Sequence, residues 1–183
     1  MILSVGESRP KKFKIGAEIL MAVEGTDHSH SFISWRDESL GIRKVAEARG
    51  GGGRIVINEQ FRQENHIVRV FQYEICPISL RELEIWIWGH LRPYGYKYNL
   101  GIGIMRLKSL FRCKSVNPFK DGDFSMVCVE LTARAIALSM GIQLPYSIED
   151  FGLKEMHELN LDMYRSKRCD LASEELLNAI NRL

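Results

Sequence analysis

The stretch Asp123-Phe124-Ser125-Met126-Val127-Cys128-Val129-Glu130-Leu131, running on into Thr132-Ala133-Arg134-Ala135-Ile136-Ala137-Leu138-Ser139-Met140-Gly141, decides how the rest of the chain is read. Apolar residues at Val127, Leu131, Ala135 and Leu138 recur at three- and four-residue steps. Gly141 and then Pro145 supply a stop, so the spacing predicts an amphipathic helix with Cys128 in its first turn. The free N–H groups and positive dipole end of a helix stabilise an anion there, which favours a thiolate over a thiol. Two readings of Cys128 follow: a nucleophile seated at a helix start, or an inert core cysteine, since free Cys is among the most buried residue types.

Upstream, Ile15–Val23 reads as a buried strand or a short apolar turn bounded by Gly25. Asp27-His28-Ser29-His30-Ser31-Phe32-Ile33-Ser34-Trp35 reads as a strand, whose period of two puts His28, His30 and Phe32 on one face. Lys44–Arg49 is a short alternating segment before Gly50-Gly51-Gly52-Gly53. Those glycines make no phosphate loop, because neither Gly-Lys-Ser/Thr nor GxGxxG follows, and a mobile hairpin tip is expected instead.

Arg54–Asn58 and His66–Ile75 are β-branched and aromatic, as strands are. Ser79-x-x-Glu82 caps a helix expected over Ser79–Leu91. Pro93–Gly103 is a glycine- and tyrosine-rich turn, Met105–Phe111 one more short helix, and a last helix is expected from Ala172 to Leu183. Strands come first and the cysteine helix late, which is an α+β order, and nothing marks a second domain within residues 1–183.

Composition narrows the classes. A net charge of +2 and the lack of a basic run interleaved with aromatics argue against nucleic acid. No window approaches the length of an apolar membrane span, and the first ten residues lack a secretory core. The protein is expected to be cytoplasmic as made, with release by lysis or carriage in a virus particle left open. Cys76, Cys113, Cys128 and Cys169 form no CxxC pair. His28 and His30 with Asp27 make a poor zinc signature, so neither metal nor other cofactor is expected.

A thiolate nucleophile needs a base and a group that orients the base. Cys128, His30 and Glu47 supply the three types, and the N–H groups at the helix start would face an oxyanion. His28, on the expected shared face, is the alternative base, and Glu47 has an ordinary alternative as a solvent-facing strand residue.

Gly-Ala-Glu-Ile-Leu (16–20), Ser-His-Ser-Phe-Ile (29–33), Val-Ala-Glu-Ala (45–48), Pro-Tyr-Gly-Tyr (93–96) and Met-Val-Cys-Val-Glu-Leu (126–131) follow one another in the order that resembles the permuted NlpC-type, papain-like cysteine hydrolases of the YiiX-like group. The resemblance spans residues 15 to about 153. It departs from the family at Val129, where the family commonly has Ser, at Ala17, where it has Asp, and in lacking a glycine after the cleft histidine.

This resemblance implies a circularly permuted papain-like domain, a mostly antiparallel sheet packed against helices. It implies Cys128 as nucleophile, His30 as base and Glu47 as the third member. Glu130 takes a structural or pocket-lining role, and His28, Tyr94 and Tyr96 lie near substrate. The activity so implied is that of a thiol peptidase or amidase acting on a peptide or cell-wall peptide. An acyl-lipid amidase or acyltransferase and a catalytically silent binding module are the alternatives. Oligomeric state is not implied.

Overall fold

The computed structural model describes residues 1–50, 52–91, 100–101, 104–106, 108, 127–144 and 151–172. In chain order these form β1 (Ile2–Pro10), α1 (Ile15–Glu24), β2 (His30–Asp37), β3 (Ile42–Arg49), β4 (Gly52–Ile57), α2 (Asn58–Glu64), β5 (Asn65–Glu74), α3 (Pro77–Gly89), α4 (Cys128–Met140), α5 (Leu153–Arg165) and β6 (Asp170–Leu171). The strands make one open antiparallel sheet in the order β4-β3-β2-β1-β5-β6, with helices packed on it, an α+β architecture.

β1, for which no strand was expected, joins the two halves of this sheet. Leu3 and Val5 point to the main core, while Ser4, Glu7 and Ser8 are buried as well. Burying a carboxylate is costly unless it is paired, and Glu7 is paired with Arg69 and His157. Gly6 in the same strand leaves room for the ring of Phe32 on β2. A Cβ there would lie 2.0 Å from Phe32 Cζ.

The two faces of the sheet carry separate cores. Leu3, Val5, Ile33, Trp35, Phe71 and Tyr73 pack with α3, α4 and α5. Phe32, Val45, Ile67 and Val70 pack with Phe61 of the short helix α2 on the other. The glycine run does form a hairpin: Arg49 lies opposite Gly52, Ala48 opposite Gly53 and Glu47 opposite Arg54.

Four expectations need correcting. Ile15–Glu24 is a helix, neither strand nor turn. Gly25 closes it at φ 66°, and Ile15 and Ile19 stand exposed, so the apolar run is not a buried strand. α3 begins at Pro77, two residues before the expected cap, since proline's fixed φ suits the first helical position.

The segment 153–165, for which no helix was expected, is one, with Leu153, Met156, Leu159 and Met163 inward. α2 was not expected at all. The helix expected over 172–183 and Tyr94 and Tyr96 lie outside the described residues, and so does Cys113. No helix among the described residues is long and apolar enough to cross a membrane.

Candidate active site

Cys128 is the first residue of α4, after Val127 in extended conformation (φ −105°, ψ 163°). Among the described residues no side chain caps this end, so N–H groups of the first turn stand open to another acceptor. α4 lies against β2 and β3 and is pinned there near its start. Ser31 Oγ of β2 donates to Thr132 Oγ1 at 3.1 Å, and that hydroxyl donates to Cys128 O at 2.8 Å. The helix presents Leu131, Thr132, Ala135, Ile136 and Ser139 inward. Leu138, expected on this face, is exposed, because the face drifts round by one residue after two turns.

His30 opens β2, and Glu47 lies on the adjoining β3, brought alongside by the register that puts Ile33 opposite Ala46. His30 Nε2 and Glu47 Oε2 are 2.6 Å apart. The thiol of Cys128 lies near enough to the same imidazole to raise its pKa. Thiol, imidazole and carboxylate, from positions 128, 30 and 47, are therefore neighbours. Cys128 is 4% exposed, and the His30 side chain is 12% exposed.

Electrostatics favour charge at both ends of the histidine–glutamate pair. Burial alone would lower the His30 pKa. The charge and hydrogen bond of Cys128, followed by those of Glu47, outweigh it and hold the imidazole at about 10. Burial would raise Glu47, which is 1% exposed. The hydrogen bond and charge of His30 and those of Arg54 instead pull its carboxyl down to about 2.

Arg54 is the residue the sequence reading missed. Its Nε donates to Glu47 Oε1 at 2.7 Å, and its Nη2 to Glu64 Oε2 at 2.8 Å; Arg49 also pairs with Glu64. Its position was countable, since the register that puts Arg49 opposite Gly52 sets residue 54 opposite residue 47.

His28 sits elsewhere. Because β2 begins only at His30, the expected shared face does not exist, and the His28 ring turns toward Asp27 (3.1 Å), Glu7 (3.6 Å) and the ring of His157. Burial pushes its pKa down against the pull of Glu7 and Asp27. Its side chain is 1% exposed. Glu130 is paired with Arg134 one turn along α4 at 2.8 Å.

Glu7, Asp27 and His28 are the one described group whose ligand atoms converge closely enough for a metal ion. Arg69 already donates to both of these carboxylates, and its guanidinium supplies the positive charge there.

The class defined so far is an α+β protein with a helix-start cysteine held against a buried histidine–glutamate pair. Comparison with protein-family models, curated proteins and solved structures returns no match.

Proposed function

We propose that the chain is a cysteine hydrolase of the circularly permuted papain-like type, acting on an amide bond. The observation that carries this reading is the meeting of Cys128 with an imidazole that is itself tied at 2.6 Å to a buried carboxylate. A structural cysteine needs no such partner, whereas nucleophilic catalysis needs a base and an orienting group.

Glu47 engages Nε2 and fixes the ring. Nδ1, the remaining nitrogen, carries the proton exchanged with Cys128. The thiolate attacks the carbonyl carbon, and the oxyanion faces the uncapped N–H groups at the head of α4. The carbon–nitrogen bond breaks as the imidazolium gives its proton to the leaving amine, leaving an acyl thioester on Cys128. Water then attacks that thioester, His30 takes its proton, and the acid leaves with the thiol restored.

The order histidine, glutamate, cysteine along the chain, and a cysteine helix packed on an antiparallel sheet, support the permuted arrangement. A peptide or cell-wall peptide is the first substrate class. A lipid amide is favoured by a separate observation: Phe13, Ile15 and Ile19 are exposed on and beside α1, next to Lys11, Lys12 and Lys14, a pairing suited to acyl chains and anionic headgroups.

The test is incubation with peptide, muropeptide and N-acyl lipid substrates, with acyl-Cys128 trapped and located by mass spectrometry. Cys128→Ala and His30→Ala should abolish turnover while unfolding at an unchanged denaturant midpoint for at least one of them. Turnover that survives Cys128→Ala sinks the proposal.

A further inference from the structure

On the sheet face opposite α4, a cavity of about 240 Å³ opens between the strands and α2. Its floor follows from the register. Ser34, Ser4 and Gln72 lie abreast on β2, β1 and β5, and Phe32 and Val70 flank Gly6 one step along the same face. Ile67, Arg43 of β3, and Asn58 and Arg62 of α2, one helical turn apart, complete the lining.

Two guanidinium groups line this space without an ion pair among the described residues, and the charge of Glu59, the one carboxylate felt by Arg62, does not outweigh the effect of burial. Arg43 Nη1 donates only to hydroxyls, those of Ser4 (3.1 Å) and Ser34 (3.3 Å), which are neutral. Arg62 is 9% exposed, yet its Nε is fully buried and hydrogen-bonded to nothing. Of the other arginines of this face, Arg49 and Arg54 are matched to Glu47 and Glu64, and Arg36 to Glu38. Among the described residues neither Arg43 nor Arg62 forms an ion pair.

A buried donor left unmade on a charged group is costly, and proteins meet that cost with a partner. Burial pushes both guanidinium pKa values down, as does the proximity of Arg36 and Arg62 to Arg43. The unanswered need is for negative charge. The apolar walls, Phe32, Ile67 and Val70, offer nothing to a bare ion but suit a hydrocarbon body.

We propose that this cavity binds a small organic anion, its carboxylate or phosphate oxygens held by Arg62 and Arg43 and its apolar part lying on Phe32, Ile67 and Val70. The volume corresponds to roughly eight waters, which sets the size at a small acid or phosphate monoester rather than a peptide or a nucleotide. Asn58 and Gln72 add side-chain amides to the lining. This site stands on different residues from the Cys128 relay and does not depend on the hydrolase reading.

The experiment is titration of the full chain with inorganic phosphate, phenyl phosphate and hexanoate, read by calorimetry and by the rise in Tm. Saturable millimolar or tighter binding of phenyl phosphate or hexanoate is expected, with inorganic phosphate weaker because it lacks the apolar part. The preferred arm of the pair identifies the headgroup. Arg62→Gln and Arg43→Gln should each weaken binding about tenfold or more, the loss of one charge-assisted hydrogen bond, and Cys128→Ala should leave it unchanged.

Absence of saturable binding by all three probes up to about 10 mM, well above the weak millimolar range, overturns the proposal. So does binding that neither arginine substitution weakens. Should Arg62→Gln fail to fold, Arg43→Gln and the wild-type titration still decide.

Discussion

Glu47→Gln is the substitution whose effect can be worked furthest from the geometry. The amide keeps the shape and one acceptor, so what is lost is the charge between His30 Nε2 at 2.6 Å and Arg54 Nε at 2.7 Å. The carboxyl is held at about 2 against an ordinary 4.5, a difference worth about 3 kcal/mol. Its folded pKa is depressed, so this stability is fully present above about 4.5 and is lost as pH falls toward about 2. Urea unfolding of both proteins from neutral pH downward should therefore show a gap of about 3 kcal/mol at neutrality that closes as the solution is acidified.

His30 runs the other way. Its folded pKa is raised, so its contribution is present below 6.5 and disappears as pH rises through about 10. The ring titration followed by NMR should fall below 10 in Glu47→Gln. A stability gap that stays constant from neutral to strongly acid pH, with an unmoved His30 titration, would refute the claim that this carboxylate's charge organises the site.

Iodoacetamide labelling of the native protein should modify exposed Cys76 and should modify Cys128 at a rate that drops in His30→Ala. Cys169, buried and with its thiol pushed up to about 11 by that burial, should resist until the protein unfolds. Gly6→Ala should destabilise by about 1–3 kcal/mol or more, because its methyl would overlap the buried Phe32 ring. Chemical denaturation measures it, and the double change Gly6→Ala, Phe32→Leu should recover part of the loss.

The helix that begins at Cys128 was legible because periodicity, Gly141 and the proline beyond it agree, and Gly141 closes α4 at φ 61°. The glycine hairpin and β5 were legible for like reasons, turn residues in one and β-branched residues in the other. β1 was not, because Ser4, Glu7 and Ser8 look like surface residues until Arg69, His157 and the neighbouring strands are in place.

α1 was misread because a short apolar run interrupted only by Glu18 carries no clear period, and α2 because Phe61 is its one large apolar side chain. At the site, His30, Glu47 and Cys128 could be singled out by residue type and order. His30 was preferred to His28 on the resemblance alone; that it is His30 which pairs with Glu47 follows from where β2 starts, a matter of tertiary pairing rather than of local pattern. Arg54 was hidden for the opposite reason: its position followed from a hairpin count, but nothing in its own neighbourhood advertised a partner.

The strand that binds the sheet's halves together precedes the sheet's other described strands along the chain, with consequences for how the molecule comes to exist. Ile2 must find Glu74, so the nascent segment emerges from the ribosome long before its second neighbour is made. Contacts of such sequence separation slow folding, and an unpaired edge left waiting is open to intruding chains. Production in cells should therefore be limited by aggregation of half-made protein, and slowing translation or supplying a holdase chaperone should raise yield more than stabilising the finished fold.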